Sequence, residues 1–254
     1  MRAFFQTEWL GISFSSLSEI STTKLADSAF YDSFYSAVFQ KYEGYEALDP
    51  EWRQIKDEVT DWLATCMPDG ARVLSVGCGL GYMEQRLWRK HGDRLDLHVQ
   101  DYASESLRWL RRVMPAEHIH DANEKEKVRL TKSDRYDLIY LSGVDYALPD
   151  SDLIALLSRL TGRMRKDGRI LIISGSFVEE SFGQRSIRAC KEAAKWLLER
   201  LGLYKRGQLW GWMRSRAEYR AIMREAGLVS VMDGFIDAPH RKTYWIQGDG
   251  VSAE

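Results

Sequence analysis

The sequence has little cysteine, almost no net charge and no long apolar run, and each shortage removes a class of protein. Its 254 residues hold three cysteines, Cys66, Cys78 and Cys190, with no CxxC pair and no His/Cys cluster at metal-ligand spacing. A disulfide framework and a structural zinc are therefore not expected, no metal is expected, and a reducing compartment fits. The apolar runs fall well short of the roughly 18 residues that cross a bilayer. Gln6, Thr7 and Glu8 interrupt the apolar stretch over 1–11, which argues against a signal peptide. A cytoplasmic protein with no transmembrane segment is the expectation. Net charge is −1, so the molecule as a whole offers no broad field to nucleic acid.

What is present is an ordinary globular balance, 44% hydrophobic and 29% charged. The length suits one large α/β domain, or a core with a small cap. Residues 1–28 show no clear period and read as a loose amino-terminal arm. Over 29–47, Phe30, Tyr31, Phe34, Tyr35, Val38, Phe39 and Tyr42 recur at helical spacing, and 1–48 is taken as an arm with its helix. Asp49 and Pro50 then open a helix with Trp52, Ile55, Val59, Trp62 and Leu63 on one side.

From residue 70 the pattern alternates. Strands are expected at 72–76, 95–100, 118–120, 136–142 and 169–174, with helices at 83–90, 104–114 and 150–166 between them and Asp167-Gly168 as a turn. Such alternation implies parallel βαβ units closing into a doubly wound sheet. The end differs: Ser215 and Glu218 make a capping box, and strands at 229–236 and 243–247 follow as an antiparallel hairpin.

The chemistry concentrates where the first of these strands ends, in Val73-Leu74-Ser75-Val76-Gly77-Cys78-Gly79-Leu80-Gly81-Tyr82. Alternating glycines let a backbone turn sharply and approach a ligand at the carboxyl edge of a strand. A dinucleotide site would place a small residue where bulky Tyr82 stands. Asp101 ends the next strand, about 20 residues on, where a carboxylate can accept both ribose hydroxyls; a helix-entry role beside Ser104 is the alternative.

This arrangement resembles motif I and the following acid of class I S-adenosylmethionine-dependent methyltransferases. The resemblance extends over roughly 70–175, through Asp121-Ala122, the 136–144 stretch and the 165–171 turn. It implies an α/β, doubly wound, seven-stranded, mostly parallel sheet with an antiparallel last strand, and S-adenosylmethionine as cofactor. The cofactor residues it implies are Ser75, Gly77, Gly79, Gly81, Asp101, Tyr102, Asp121, Ala122 and Ser142. In one respect the chain departs from the pattern: Ser75 stands where the family usually has an acid, so either weaker cofactor binding or a compensating acid such as Asp145 is expected.

Beyond the fourth strand, Asp145 and Tyr146 are candidate catalytic groups, with His240 in the hairpin loop as a third; packing, capping and solvated roles are the alternatives for each. Residues 177–214 read as a substrate-recognition insert within a methyltransferase domain over 49–254. Between Gln184 and Arg224 there are 11 Lys/Arg against 3 Glu, interleaved with Trp210 and Trp212. Such a segment suits an anionic or sugar-bearing acceptor; a solvated face with core tryptophans is an even alternative. Trp210-Gly211-Trp212-Met213-Arg214 also resembles bacterial methyltransferases associated with polysaccharide and glycolipid synthesis. The expected function is methyl transfer to a small-molecule or glycan hydroxyl. RNA or protein methylation through the 184–224 segment, and a non-catalytic binding subunit, are the competing readings; nucleic acid is the less favoured partner.

Overall fold

A computed structural model describes residues 2–122, 135–179, 191, 194–195, 197–204 and 206–250. Its centre is a seven-stranded sheet. The strands are β4 (Arg72–Val76), β5 (Asp96–Asp101), β6 (Ile119–Asp121), β7 (Tyr136–Ser142), β8 (Met164–Ser174), β10 (Leu228–Asp237) and β11 (Lys242–Gly250). They lie in the order β10-β11-β8-β7-β4-β5-β6. The five from β6 to β8 are parallel, and the terminal strand β11 runs antiparallel between β8 and β10. The doubly wound sheet expected from the alternation is present.

Helices cover both faces. On one, α2 (Pro50–Thr65) and α3 (Tyr82–His91) bury Leu63 and Leu87 against Val73, Leu97, Leu138 and Leu171. On the other, α4 (Asp150–Thr161) and α5 (Arg216–Glu225) pack Leu153, Leu157 and Ile222 on Leu74, Ile139, Ile170 and Ile172. Each fully buried leucine or isoleucine contributes on the order of 1.5–3 kcal/mol, so the two faces together hold the sheet. The capping box at Ser215 and Glu218 forms, and Asp49 caps α2 by accepting from Trp52 N–H at 2.7 Å.

A third cluster corrects the reading of 1–28 as loose. Strand β1 (Arg2–Gln6) pairs antiparallel with β9 (Gln208–Met213), while β2 (Glu8–Trp9) and β3 (Ile12–Ser13) form a small hairpin. Phe14 and Trp210 stack at 4.6 Å between this arm and α1 (Ser28–Lys41), whose Phe34 is fully buried. The arm is short of hydrophobic period because its apolar side chains meet an aromatic cluster rather than one face of a regular element. Trp210 accordingly belongs to the core.

Two further differences are local. Residues 104–114 form short 3-10 turns, Ser104–Arg108 and Leu110–Arg112, rather than one helix. Leu107 and Leu110 are fully buried there, and this packing overrides helical propensity. Asp167 and Gly168 lie inside β8, where the register with β7 shifts between Tyr136 and Leu138, so the turn-like dipeptide makes an irregularity within a strand. Of the helix expected at 187–201, residues 191, 194–195 and 197–200 are helical, while 187–190, 192–193 and 196 lie outside the described residues.

Candidate active site

The carboxyl ends of β4, β5 and β7 open into a crevice of about 590 Å³. Its floor is the glycine turn. Gly77 and Gly81 take φ of +70° and +71°, a region that costs an L-residue about 1–2 kcal/mol. A Cβ would lie 2.3 Å from Val144 at the first position and 2.3 Å from Leu110 at the second. Only glycine lets the chain fold this tightly against the next loop.

Asp101 closes on that turn. Gly79 N–H donates to its Oδ2 at 2.8 Å and Ala103 N–H to its Oδ1 at 2.9 Å. The side chain is 5% exposed, and burial raises its pKa to about 6 despite both bonds. A carboxylate has further lone pairs to offer, so the group remains able to accept from a ligand in the crevice it lines.

Of the residues singled out from sequence, the structure brings Gly77, Gly79, Gly81, Asp101, Tyr102, Ala122, Ser142 and Tyr146 to this one crevice. Tyr102 is 41% exposed, its ring edge-on to Tyr31 at 5.8 Å. Ser142 donates to Met83 Sδ at 3.4 Å. The rest lie elsewhere. Asp121 is not among the lining residues; Ala122 is, held by its N–H on the Asp101 carbonyl at 2.8 Å. Ser75 sits behind the turn, 1% exposed.

Asp145 points away from the crevice into the protein, fully buried. Its Oδ2 accepts from Ser174 at 2.9 Å, from Ser176 at 3.2 Å and from Tyr219. Arg214, also fully buried, donates to the carbonyls of Asp145 and Leu148 and pairs with Asp150 at 2.7 Å. This network holds the loop that carries Tyr146. Buried polar groups need partners; Asp145 Oδ2 and Arg214 find theirs under the loop rather than in the site, while Asp145 Oδ1 has none among the described residues. His240 is bonded through Nδ1 to Glu58 on α2, which pins the hairpin loop to that helix and leaves the histidine outside the lining set.

The acid that stands beside Ser75 is Glu84 on the first turn of α3, not Asp145. Ser75 Oγ donates to Glu84 Oε1 at 2.7 Å, and Tyr140 Oη donates to the same oxygen at 2.8 Å. Burial raises the Glu84 pKa, with both hydroxyl donors pulling against it. Glu84 lines the crevice, and nine residues of sequence hide a contact that one helical turn creates.

The remaining walls are aromatic and basic. Tyr31 and Tyr35 from α1, Trp52 and Lys56 from α2, Phe4 from β1, Trp9, Trp210, Arg159 and Arg241 complete them. Tyr146 stands edge-on to Phe4 at 5.7 Å. Burial raises the Tyr146 hydroxyl above the ordinary tyrosine range, which favours its protonated, donating form. Sequence reading missed Lys56, although its i, i+4 spacing from Trp52 puts both on one helix face. Phe4 and Arg241 carry no local signal; only tertiary pairing brings them in.

The chain matches the methyltransferase-domain family over residues 51–232. No protein of curated function matches it in sequence. Among solved structures it is similar to magnesium protoporphyrin IX methyltransferase from Synechocystis PCC 6803 with bound S-adenosylhomocysteine. The identity is 17% and the TM-score 0.55, over 89% of this chain and 100% of that one. It is also similar to human N-acetylserotonin methyltransferase in complex with S-adenosylmethionine, at 15% identity and TM-score 0.53, over 88% of this chain and 56% of that one.

Proposed function

The chain belongs to the methyltransferase-domain family, and on that premise we propose that it methylates a hydroxyl of a ring-bearing, anionic small molecule or sugar with S-adenosylmethionine as donor. The observation that carries the reading is the joining of the glycine turn to Asp101 by the Gly79 N–H bond, at the mouth of an open crevice. The cradle fits an adenosyl group: its turn admits no Cβ, and its buried carboxylate keeps lone pairs for ribose hydroxyls.

The bound cofactor supplies an electrophilic methyl group. The chain's own residues do the positioning, from which much of the rate of such a displacement comes. Asp101 and the glycine turn fix the nucleoside, Tyr102 offers a ring face, and Ser142 with Tyr146 border the space beyond. Phe4, Trp9, Tyr31, Tyr35 and Trp210 shut water out and present flat apolar surfaces to a ring. Lys56, Arg159 and Arg241 give the lining three cations against the two acids Glu84 and Asp101, which favours an anion.

The glycan branch of this proposal rests on the same aromatic walls. The basic segment is a weaker basis for RNA or protein methylation, because Arg214 is buried and Arg216 and Arg220 both pair with Asp233. Transfer of tritium from labelled S-adenosylmethionine into hydroxylated aromatic acids and glycolipid precursors tests the proposal. Incorporation that disappears with Asp101→Ala is expected. A protein that neither binds the cofactor nor gains thermal stability at millimolar ligand is a binding subunit instead.

A further inference from the structure

Lys56 is a crevice cation whose one side-chain partner among the described residues is an aromatic ring. Its side chain is half-buried in the crevice lining, with the Trp52 ring 5.9 Å from Nζ. Among the described residues its ammonium makes no hydrogen bond and no ion pair; only its backbone carbonyl is engaged, by Thr60 Oγ1 at 2.6 Å. Holding a charge there costs desolvation, and burial lowers the amine's pKa, with nearby Arg241 pushing the same way. Proteins rarely bury an ammonium without a partner.

Arg241 is the second cation at the same place. The His240–Glu58 bond fastens the β10–β11 loop onto α2 two residues from Lys56, and so delivers the next residue, Arg241, to the crevice. Its one hydrogen bond is a long one, Nη2 to the Gly175 carbonyl at 3.4 Å, and it has no ion pair among the described residues. Two like charges from separate elements line one crevice, and among the described residues neither pairs with a carboxylate, an arrangement that suits a ligand's negative group. Glu84 is also close enough to act on Lys56, without pairing to it.

We propose that Lys56 and Arg241 form a carboxylate-binding subsite on the α2 side of the crevice. The proposal rests on the crevice being the cofactor and acceptor site. The carboxylate has two possible sources. It is the amino-acid end of the cofactor, whose ammonium then faces Glu84, or it is an acid group of the acceptor.

Calorimetry on the full chain separates them. S-adenosylhomocysteine is compared with 5′-methylthioadenosine, which keeps the nucleoside thioether and lacks the amino-acid end. The protein saturated with S-adenosylhomocysteine is then titrated with 4-hydroxybenzoate and, as its uncharged counterpart, 4-hydroxybenzyl alcohol. If the cofactor supplies the carboxylate, Lys56→Met and Arg241→Gln each weaken S-adenosylhomocysteine at least about tenfold, the equivalent of about 1.4 kcal/mol. They leave 5′-methylthioadenosine within about twofold, and Lys56→Arg restores most of the difference. If the acceptor supplies it, S-adenosylhomocysteine is unchanged and 4-hydroxybenzoate alone is weakened. Variants that keep the wild-type ratios in both pairs, or weaken charged and uncharged ligands alike, overturn the proposal. Failure of both S-adenosylhomocysteine and 5′-methylthioadenosine to bind the wild type sinks the cofactor reading instead, and the hydroxybenzoate comparison, made then on the free protein, still decides the subsite.

Discussion

At the scale of single residues, the account turns on atoms that have no room to change. Gly77→Ala would force a Cβ to within 2.3 Å of Val144 at a φ of +70°. Backbone strain of about 1–2 kcal/mol adds to that clash, so a lowered melting temperature and loss of nucleoside binding are expected together. Thermal unfolding with and without S-adenosylhomocysteine measures both; a variant that still binds at wild-type affinity contradicts the role given to the turn.

Asp101 makes a pH prediction of its own. Its folded pKa is raised from 3.8 to about 6, so in the free protein its contribution to stability is complete below the unfolded value and is lost as pH rises through about 6. Ligand affinity runs the opposite way, because ribose hydroxyls donate to the ionised form. Binding of 5′-methylthioadenosine should therefore tighten between about pH 5 and 7, and the dependence should flatten in Asp101→Asn. A flat profile in the wild type would separate this carboxylate from the ligand.

The glycines and Asp101 were legible in the sequence because their roles follow from local backbone and spacing. Glu84, Lys56 and Arg241 were not, because each owes its place to the packing of one element on another. Asp145 shows the converse. Its position after β7 suggested chemistry, but a side chain's direction is set by its partners, and Ser174, Ser176 and Tyr219 draw it inward.

At the scale of elements, the loop between β7 and α4 is shaped from below. Arg214→Met would leave the Asp145 and Leu148 carbonyls and the Asp150 carboxylate without their shared donor. Asp150 is 38% exposed and water can solvate it, so the cost falls on the carbonyls left without their donor, on the order of 1–3 kcal/mol, and the loop bearing Tyr146 should loosen. Chemical denaturation and hydrogen exchange over 143–148 check the expectation; unchanged protection there would mean the loop is held by other contacts. Strand β1 makes the matching case at the edge of the crevice. Deleting residues 2–6 would uncover β9 and strip Phe4 from the wall, while the two large sheet-helix clusters, which contain none of these residues, stay whole. Cofactor affinity is expected to survive that deletion better than acceptor affinity. The alternation of strands and helices over 70–175 announced the sheet, since period and length are local properties. The aromatic arm did not announce itself, because its order comes from pairing with a strand some 200 residues away.

At the scale of the whole molecule, the sheet provides a fixed floor, and everything that distinguishes this chain lies around its rim. The near-zero net charge gives no long-range steering, so discrimination falls to the crevice itself, where aromatic faces and three cations meet. On the proposed reading, that placement joins a nucleoside end, built from backbone and one carboxylate, to an acceptor end built from side chains of six elements and the loops between them.

The central claim is that the glycine turn and Asp101 hold an adenosyl ligand. The structure of the complex with S-adenosylhomocysteine tests it most directly. The account predicts both ribose hydroxyls within hydrogen-bond distance of the Asp101 carboxylate and the thioether directed toward Ser142 and Tyr146. A nucleoside seated elsewhere, or a crevice that stays closed to it at saturating ligand, would contradict the account.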